Sequence, residues 1–170
     1  MPTLALLNGH AFAGGALLAM HHDYRIMNPT KGYFCLNEID FGMLIGTPLL
    51  SIVRQKLRPQ AFRALVLEGR RYTGPAAVED GLVDAVGGLE EAVAYAGREK
   101  GRELWTKGKS GIIAKMREEM YRVSVEAMRD TTATDVWREG LEGDKAEERR
   151  VAESMVSQWE KTGKDAKAKL

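Results

Sequence analysis

The stretch NGHAFAGGALLAMHHDY, Asn8–Tyr24, decides the fold because small residues join a strand-like segment to a helix-like one. The preceding apolar run Thr3–Leu7 predicts a short strand, and Gly14–His21 predicts a buried helix. Glycine and alanine at residues 13–15 let the backbone approach a ligand, and the first turn of a helix presents unpaired N–H groups at its positive end. The stretch therefore predicts a β-turn-α unit with an anion or oxyanion receptor, although a glycine pair also serves simply to make a turn.

The remaining chain divides into a mixed part and a helical part. Asp23–Met27 and Tyr33–Leu36 predict two further short strands, separated by the turn-forming cluster Asn28–Gly32. Helical periodicity and good helix formers then dominate. The predicted helices are Leu49–Leu57, Pro59–Leu67, Leu89–Leu104, Ile112–Met128 and Ala146–Trp159. The pattern predicts an α/β fold class followed by an α-helical C-terminal region.

Composition bounds the class of protein. The 170 residues, 44% of them hydrophobic, suffice for one ordinary core. A formal net charge of +1 gives no reason to expect nucleic acid or an anionic membrane as the main partner. Cys35 is the only cysteine, so the chain forms no internal disulfide, and a reducing compartment is expected. No apolar run approaches the roughly 20 residues that span a bilayer.

Three stretches resemble, in the right order, the enoyl-CoA hydratase/isomerase (crotonase) family. Residues 2–27, PTLALLNGHAFAGGALLAMHHDYRIM, look like the family's strand, N-G-x-A-x-G-G turn and helix. Residues 34–43, FCLNEIDFGM, correspond to the segment that carries a catalytic glutamate. Residues 65–86, LVLEGRRYTGPAAVEDGLVDAV, resemble the family's L-T-G-R stretch that ends in G-L-V-D-x-V. The resemblance covers about residues 2–86.

This resemblance implies an organisation of the whole chain. Residues 1–88 are expected to form the C-terminal part of a crotonase-like ββα spiral core, and residues 89–163 a helical region used for oligomerisation. Residues 164–170 are expected to be a mobile tail that ends in a targeting tripeptide. The chain is further expected to lack the N-terminal part of the core, which in the family supplies a second oxyanion N–H and much of the adenine-binding surface.

The resemblance also assigns residues around the turn. The Gly14 N–H is expected to hold the thioester oxygen of an acyl-CoA as it becomes an enolate, with Ala13 and Gly15 as close-approach neighbours. His10 and Phe12 flank the turn and are expected to line the acyl pocket, although wall packing explains them equally well. Leu17 stands where similar hydratases carry a glutamate, and an aliphatic side chain neither holds nor activates water. Hydration is therefore disfavoured.

The second acidic position of the family matches Glu38. Apolar residues recur around it in the sequence, at Phe34, Leu36, Ile39 and Phe41, and a carboxylate in apolar surroundings is a stronger base than one in water. A single glutamate with an oxyanion turn is the combination that the family's Δ3,Δ2-enoyl-CoA isomerases use, which implies conversion of a 3-enoyl-CoA to a trans-2-enoyl-CoA in fatty-acid β-oxidation. Without the resemblance, Glu38 is predicted to be a solvated carboxylate behind a helix cap, Asn37. Asp40 is expected to point away from the same pocket.

Two other functions stay open at this point. One is a non-catalytic, truncated crotonase-like subunit or interaction fragment that binds partners through an exposed strand edge. The other is an enoyl-CoA hydratase, which Leu17 disfavours. No cofactor is expected, because the coenzyme A thioester is the substrate. No metal is expected either, since the adjacent His21 and His22 lack the facing geometry of a ligand pair. By resemblance, the chain forms a homo-oligomer, a trimer or hexamer.

The last three residues carry a separate signal. Ala168-Lys169-Leu170 is a conservative variant of the S-K-L address that the peroxisomal import receptor reads, and it follows a polar segment. An enoyl-CoA isomerase of fatty-acid oxidation fits that compartment. The sequence therefore predicts a peroxisomal protein that binds the import receptor through this tripeptide.

Overall fold

The computed structural model of the protein describes residues 2–97, 106–108, 111–130, 143 and 145–159. The chain divides into two compact units, Met1–Arg129 and Asp130–Leu170. The first unit extends past residue 88, where the sequence predicts that the α/β core ends. The predicted boundaries at residues 88 and 163 stay predictions, and the predicted tail lies outside the described residues.

Short parallel strands form two small sheets in the first unit. The strands are β1 (Leu4–Leu7), β2 (Ala11–Phe12), β3 (Tyr24–Met27), β4 (Phe34–Cys35) and β5 (Ala85–Val86). One sheet has the order β1-β3-β5 and the other pairs β2 with β4. Parallel neighbours require a crossover connection, and the helix predicted at Gly14–His21 supplies the one between β1 and β3. The mixed α/β class predicted for this part is therefore confirmed.

Helices surround the two sheets and account for most of the remaining described chain. They are α1 (Gly14–His21), a 3-10 helix (Glu38–Phe41), α2 (Thr47–Lys56), α3 (Pro59–Val66), α4 (Gly74–Glu79), α5 (Leu89–Gly97), α6 (Ile112–Met120) and α7 (Arg122–Arg129). Proline stands in the first turn of α2, α3 and α4, where its missing N–H costs no helical hydrogen bond. Helix α2 packs against both α1 and α7, and α5 contacts β1.

One continuous apolar cluster holds these elements together. Helix α1 contributes Ala16, Leu17, Ala19 and Met20, all of which are buried. Phe34 on β4 and Tyr72 are fully buried and exchange two backbone hydrogen bonds of 2.9 Å. This pairing attaches the segment that follows α3 to β4. The core thus forms directly beneath the turn that precedes α1.

The predicted turn at Asn28–Gly32 depends on its last residue. The side-chain oxygen of Asn28 accepts hydrogen bonds from the N–H groups of Thr30 and Lys31, at 3.0 and 2.9 Å. Gly32 has a φ of 84°, and a Cβ at this position would collide with the backbone of Gly9. Glycine is therefore needed where this turn crosses the loop between β1 and β2.

The helix predicted over Ile112–Met128 is wrong in one respect, because the chain breaks at Tyr121 into α6 and α7. Tyr121 ends α6 with φ −111° and ψ 23°. Its ring packs against the core cluster and lies 5.2 Å from the ammonium group of Lys56. Helix propensity along the sequence favours continuity, whereas packing of this one ring against α2 decides the break. The predicted helix Leu89–Leu104 begins as expected, and its residues 98–104 lie outside the described residues.

The second unit is described at residues 130 and 143 and over residues 145–159. Residues 145–159 are helical, in agreement with the predicted helix Ala146–Trp159. Exposed apolar side chains recur along it at helical spacing, at Val151, Met155, Val156 and Trp159. Across the described parts of both units, none of the helices is long and apolar enough to cross a membrane.

Candidate active site

The turn before α1 presents backbone N–H groups to solvent. Ala13 has φ 48° and ψ −122°, a conformation that L residues rarely adopt, and its carbonyl accepts the first helical hydrogen bond, from Leu17 at 3.0 Å. The following N–H groups, of Gly14 and Gly15, therefore lie in the first turn, where no helical carbonyl reaches them. Both glycines are exposed, and a Cβ on either would meet nothing within 4 Å. The turn is open to a ligand from the side of Gly14.

Pairing of β2 with β4 brings this turn beside the segment that carries Glu38. Phe12 aligns with Cys35, and the Ala13 N–H donates to the Cys35 carbonyl at 3.0 Å. Glu38 follows Cys35 by three residues and begins the 3-10 helix. The sequence predicted Gly14 and Glu38 separately from a resemblance. The strand pairing places the two segments next to each other in the fold.

The Glu38 side chain is buried, with 5% of the residue exposed. Its Oε2 has no hydrogen-bond partner among the described residues. The alternative of a solvated carboxylate is therefore wrong. Asn37 does stand at the start of the 3-10 helix, but its side chain makes no capping hydrogen bond. Asp40 is exposed on the same 3-10 helix, so the two carboxylates occupy different environments, as the sequence predicts.

Backbone contacts fix the 3-10 helix on its other side. Gly42 ends the helix in the left-handed conformation, with φ 63°, and its N–H donates to the carbonyls of Glu38 and Ile39. The Met43 N–H also donates to the Glu38 carbonyl, at 2.9 Å. The backbone carbonyl of Glu38 is thus held by hydrogen bonds from Gly42 and Met43, whereas its side-chain Oε2 accepts no hydrogen bond from the described residues. A held backbone and a buried carboxylate oxygen without a partner suit a group that exchanges protons.

Several charged side chains around this segment affect the pKa of the Cys35 thiol. Burial raises the pKa of Cys35, the nearby Arg71 cation opposes this rise, and the carboxylates of Asp40 and Glu38 add to it. The thiol itself donates to the Gly69 carbonyl at 3.2 Å. Arg71 precedes Tyr72, and the pairing of Tyr72 with Phe34 on β4 brings the Arg71 cation close to this segment.

Rings form a short ridge next to the turn. His10 lies 5.0 Å from Phe12 and 5.8 Å from Tyr33, measured between ring centroids. The guanidinium carbon of Arg71 lies 5.9 Å from the centre of the Phe12 ring. The predicted roles of His10 and Phe12 in an acyl pocket stay predictions. Leu17 is 6% exposed and belongs to the core cluster.

Other polar clusters in the described residues differ from this site. His21 Nδ1 lies 2.7 Å from the Leu17 carbonyl, which accounts for the ring as part of the helix end. Over the described ranges, no group of three or more His, Cys, Asp or Glu side chains is placed to hold a metal ion. A separate cleft of about 710 Å³ includes Asp23, Tyr24, Met116 and Arg117 in its lining, and none of the predicted site residues lines it.

Comparisons with known proteins agree with the motifs. Residues 1–166 match the family described as Enoyl-CoA hydratase/isomerase. The peroxisomal enoyl-CoA delta isomerases 1 and 2 of Arabidopsis thaliana are 33% and 38% identical to this chain over 124 residues, which are 72% and 71% of the chain and 52% of each relative. Enoyl-CoA delta isomerase 3 of the same plant is 32% identical over 127 residues, 71% of the chain and 52% of the relative. The chain thus spans about half the length of the curated relatives it matches.

Solved structures share the fold. An enoyl-CoA hydratase from Mycobacterium ulcerans aligns with a TM-score of 0.62 at 23% identity, covering 75% of this chain and 55% of that one. An enoyl-CoA isomerase from Mycobacterium tuberculosis aligns with a TM-score of 0.59 at 25% identity, covering 71% of this chain and 52% of that one. These alignments confirm the predicted crotonase-like fold class.

Proposed function

The chain belongs to the enoyl-CoA hydratase/isomerase family, and we propose that it acts as an enoyl-CoA delta isomerase of fatty-acid β-oxidation. The names of its three Arabidopsis relatives support this reaction. The substrate is a 3-enoyl-CoA thioester and the product a trans-2-enoyl-CoA. The reaction needs no cofactor, because the thioester itself stabilises the carbanion formed beside it.

The observation that carries the proposal is the buried Glu38, whose Oε2 is unpaired among the described residues. Its carboxylate removes a proton from C2 of the substrate, and the electron pair of the broken C–H bond delocalises into a dienolate. The same carboxyl group then returns the proton to C4. One carboxylate in apolar surroundings is sufficient for this transfer, since the acid formed in the first step is the donor of the second.

The Gly14 N–H is the proposed donor to the thioester oxygen as negative charge develops there. Preorganised backbone donors of this kind contribute about 3 kcal/mol of transition-state stabilisation. Two features support Gly14: the open space above its Cα and the tie between Ala13 and Cys35, which fixes the turn relative to the Glu38 segment. Ala13 and Gly15 keep the approach free of side chains.

Leu17 distinguishes isomerisation from hydration. A hydratase needs a second polar group to hold and activate water, whereas Leu17 is buried in the apolar core beneath α1. We therefore favour the isomerase over the hydratase. The peroxisome is the proposed location, on the basis of Ala168-Lys169-Leu170 and of two relatives' names. A homo-oligomer is the proposed assembly, by resemblance.

The decisive experiment is an isomerase assay of the 170-residue chain with a trans-3-enoyl-CoA, run beside Glu38→Gln. An amide cannot take up the proton, so kcat is expected to fall by about 10³-fold while the fold is retained. Asp40→Asn is the matched control, because it neutralises an exposed carboxylate on the same 3-10 helix, and its activity is expected to stay near wild type. A folded wild-type chain without activity would favour a non-catalytic subunit instead.

A second substitution tests the backbone donor. Gly14→Ala places a methyl group in space that is empty in the fold, so the melting temperature is expected to hold while kcat/KM falls by about 10- to 100-fold. Gly97→Ala is the control, since its Cβ also meets nothing within 4 Å but lies at the end of α5. Equal activity of the two variants would rule out a substrate contact at Gly14.

A further inference from the structure

Lys56, the last residue of α2, is held between segments that are distant from it in the sequence. Its ammonium nitrogen donates to the His22 carbonyl at 2.6 Å and lies 5.2 Å from the centre of the Tyr121 ring. Burial raises the pKa of the Tyr121 hydroxyl, so this ring is a neutral neighbour near pH 8. The Lys56 residue is half-buried. These contacts restrict the position of its nitrogen without removing it from the surface.

Charged groups of both signs surround this nitrogen. Burial and the Arg25 cation lower the pKa of Lys56 to about 8, Asp23 and Asp84 oppose this change, and Arg117 adds to it. Each of the two carboxylates is also paired with a guanidinium group. Asp23 lies 2.6 Å from Arg117, and Asp84 lies 3.4 Å from Arg25. The carboxylates therefore do little to retain the proton of the neighbouring amine.

The cleft of about 710 Å³ opens beside this cluster. Three residues around Lys56 also line the cleft, namely Asp23, Arg117 and Tyr121, together with apolar side chains of α6. Cavities of this size hold small organic molecules, and an apolar lining suits an acyl chain. A molecule bound there would lie next to the groups that surround the Lys56 amine.

We propose that Lys56 is an acylation site whose acyl donor is an acyl-CoA thioester bound at this cleft. The inference rests on the proposed function for the identity of the donor. The neutral amine attacks the carbonyl carbon of the thioester, so that a C–N bond forms and the C–S bond breaks. The electron pair of the C–S bond leaves with the CoA sulfur, which takes up the proton lost by the nitrogen. The products are an amide at Lys56 and the free CoA thiol.

The surroundings of Lys56 favour the form of the amine that reacts. At pH 8 about half of an amine with this pKa is neutral, against roughly 0.3% of a lysine with the ordinary pKa of 10.5. A lysine that is desolvated or that lies beside another cation is activated as a nucleophile in this way. The His22 carbonyl accepts one N–H of the amine, which leaves the lone pair of the nitrogen for the thioester.

The test exposes the 170-residue chain to acetyl-CoA at pH 7, 8 and 9 and measures initial rates of acetylation. Mass spectrometry counts the acetylated peptides, which are made with a protease that does not cut at lysine. Lys31, exposed in the turn at residues 28–32, is the control within the same molecule. Lys56 is expected to react about tenfold faster than Lys31 at pH 8, because the lower basicity of its amine offsets part of the gain in the neutral fraction. Its rate is expected to level off above about pH 8.

Two comparisons make the result specific. In urea that unfolds the chain, the advantage of Lys56 over Lys31 is expected to disappear, because the cluster exists only in the folded protein. Octanoyl-CoA, whose longer chain reaches apolar side chains of the cleft, is expected to raise the ratio of the two rates by about tenfold over acetyl-CoA.

Equal rates at Lys56 and Lys31 in the folded chain would overturn the acylation site, and so would an advantage that persists in urea. A rate at Lys56 that keeps rising in proportion to hydroxide up to pH 9 would overturn it as well. An equal ratio for the two donors would overturn binding at the cleft. Neither donor carries a double bond to move, so these outcomes are independent of isomerisation. Acetylation of Lys56 in a folded chain that lacks isomerase activity would count against the proposed function alone.

Discussion

Two charged residues of this protein are buried to a similar degree but differ in their hydrogen-bond partners. Arg25 is 6% exposed and Glu38 is 5% exposed. The Arg25 guanidinium donates to the carbonyls of Leu82 and His22, at 2.7 and 2.9 Å, and lies 3.4 Å from the Asp84 carboxylate. Glu38 has an oxygen without any partner among the described residues. A paired buried charge is typical of a structural role, and a buried polar atom without a partner is a candidate for a functional one.

The surroundings of the two charges explain this difference. Arg25 lies on β3, between β1 and β5, and the Asp84 carboxylate also accepts the Arg25 backbone N–H at 2.7 Å. Its partners therefore come from the central sheet and its adjoining loops, which are fixed in position. Glu38 lies on a single turn of 3-10 helix beside an open backbone turn. Its Oε2 has no hydrogen-bond partner among the described residues.

The largest expected effect is a loss of stability, and it tests the structural role of Arg25. Arg25→Met removes the guanidinium that donates to the Leu82 and His22 carbonyls and pairs with the Asp84 carboxylate, so the free energy of unfolding is expected to fall by about 3–5 kcal/mol. Urea denaturation measures the change. Arg63→Met is the control, since the Arg63–Glu68 pair is exposed on both sides and should change stability by less than about 0.5 kcal/mol. Similar losses for the two variants would contradict the structural role of Arg25.

A smaller effect concerns the cation next to Arg25. Burial and the neighbouring Arg25 lower the pKa of Lys56 to about 8, and its ammonium group donates to the His22 carbonyl at 2.6 Å. Between about pH 8 and 10.5 the unfolded chain binds this proton and the folded chain does not, so stability rises with pH across that window. Lys56→Met should remove that rise, about 1–2 kcal/mol after allowance for solvent screening.

The measurement compares urea denaturation of wild type and Lys56→Met at pH 7 and pH 10. The raised pKa values of Tyr24, Tyr72 and Tyr121 act in the other direction at high pH, but they are present in both proteins and cancel in the difference. A pH-independent difference between the two proteins would show that Lys56 keeps its ordinary affinity for the proton.

The smallest expected effect is a change in stability that tests whether Glu38 has a structural role. Glu38→Gln replaces a buried carboxyl group, one oxygen of which has no partner among the described residues, by a neutral amide of the same shape, so the free energy of unfolding is expected to rise by up to about 1 kcal/mol. The same substitution is expected to lower kcat for isomerisation by about 10³-fold. Thermal or urea denaturation beside the activity assay checks the pair of outcomes. A loss of more than about 2 kcal/mol would mean that Glu38 is a structural residue.

Much of the fold could be predicted from local sequence patterns. The small residues before Gly14 and the apolar run after it define α1 at the predicted limits, because strand, turn and helix are specified within one short stretch. The β2 and β5 strands escaped prediction, since strands of two residues have no periodicity to detect. Helix α4 and the break at Tyr121 also depend on packing that lies far away in the sequence. The assignment of Gly14 and Glu38 came from a motif resemblance and not from periodicity.

By itself, the sequence predicted the α/β class and the turn at residues 13–15, because each rests on neighbouring residues, whereas Glu38 was proposed as the acid-base group from a motif resemblance alone. Only the tertiary structure decided which charges are satisfied. Arg25 and Glu38 look alike as single charged residues beside apolar ones, and their difference arises from partners up to 59 residues away. Burial and pairing depend on contacts between distant segments, and these exist only once the strands have paired and the core has formed.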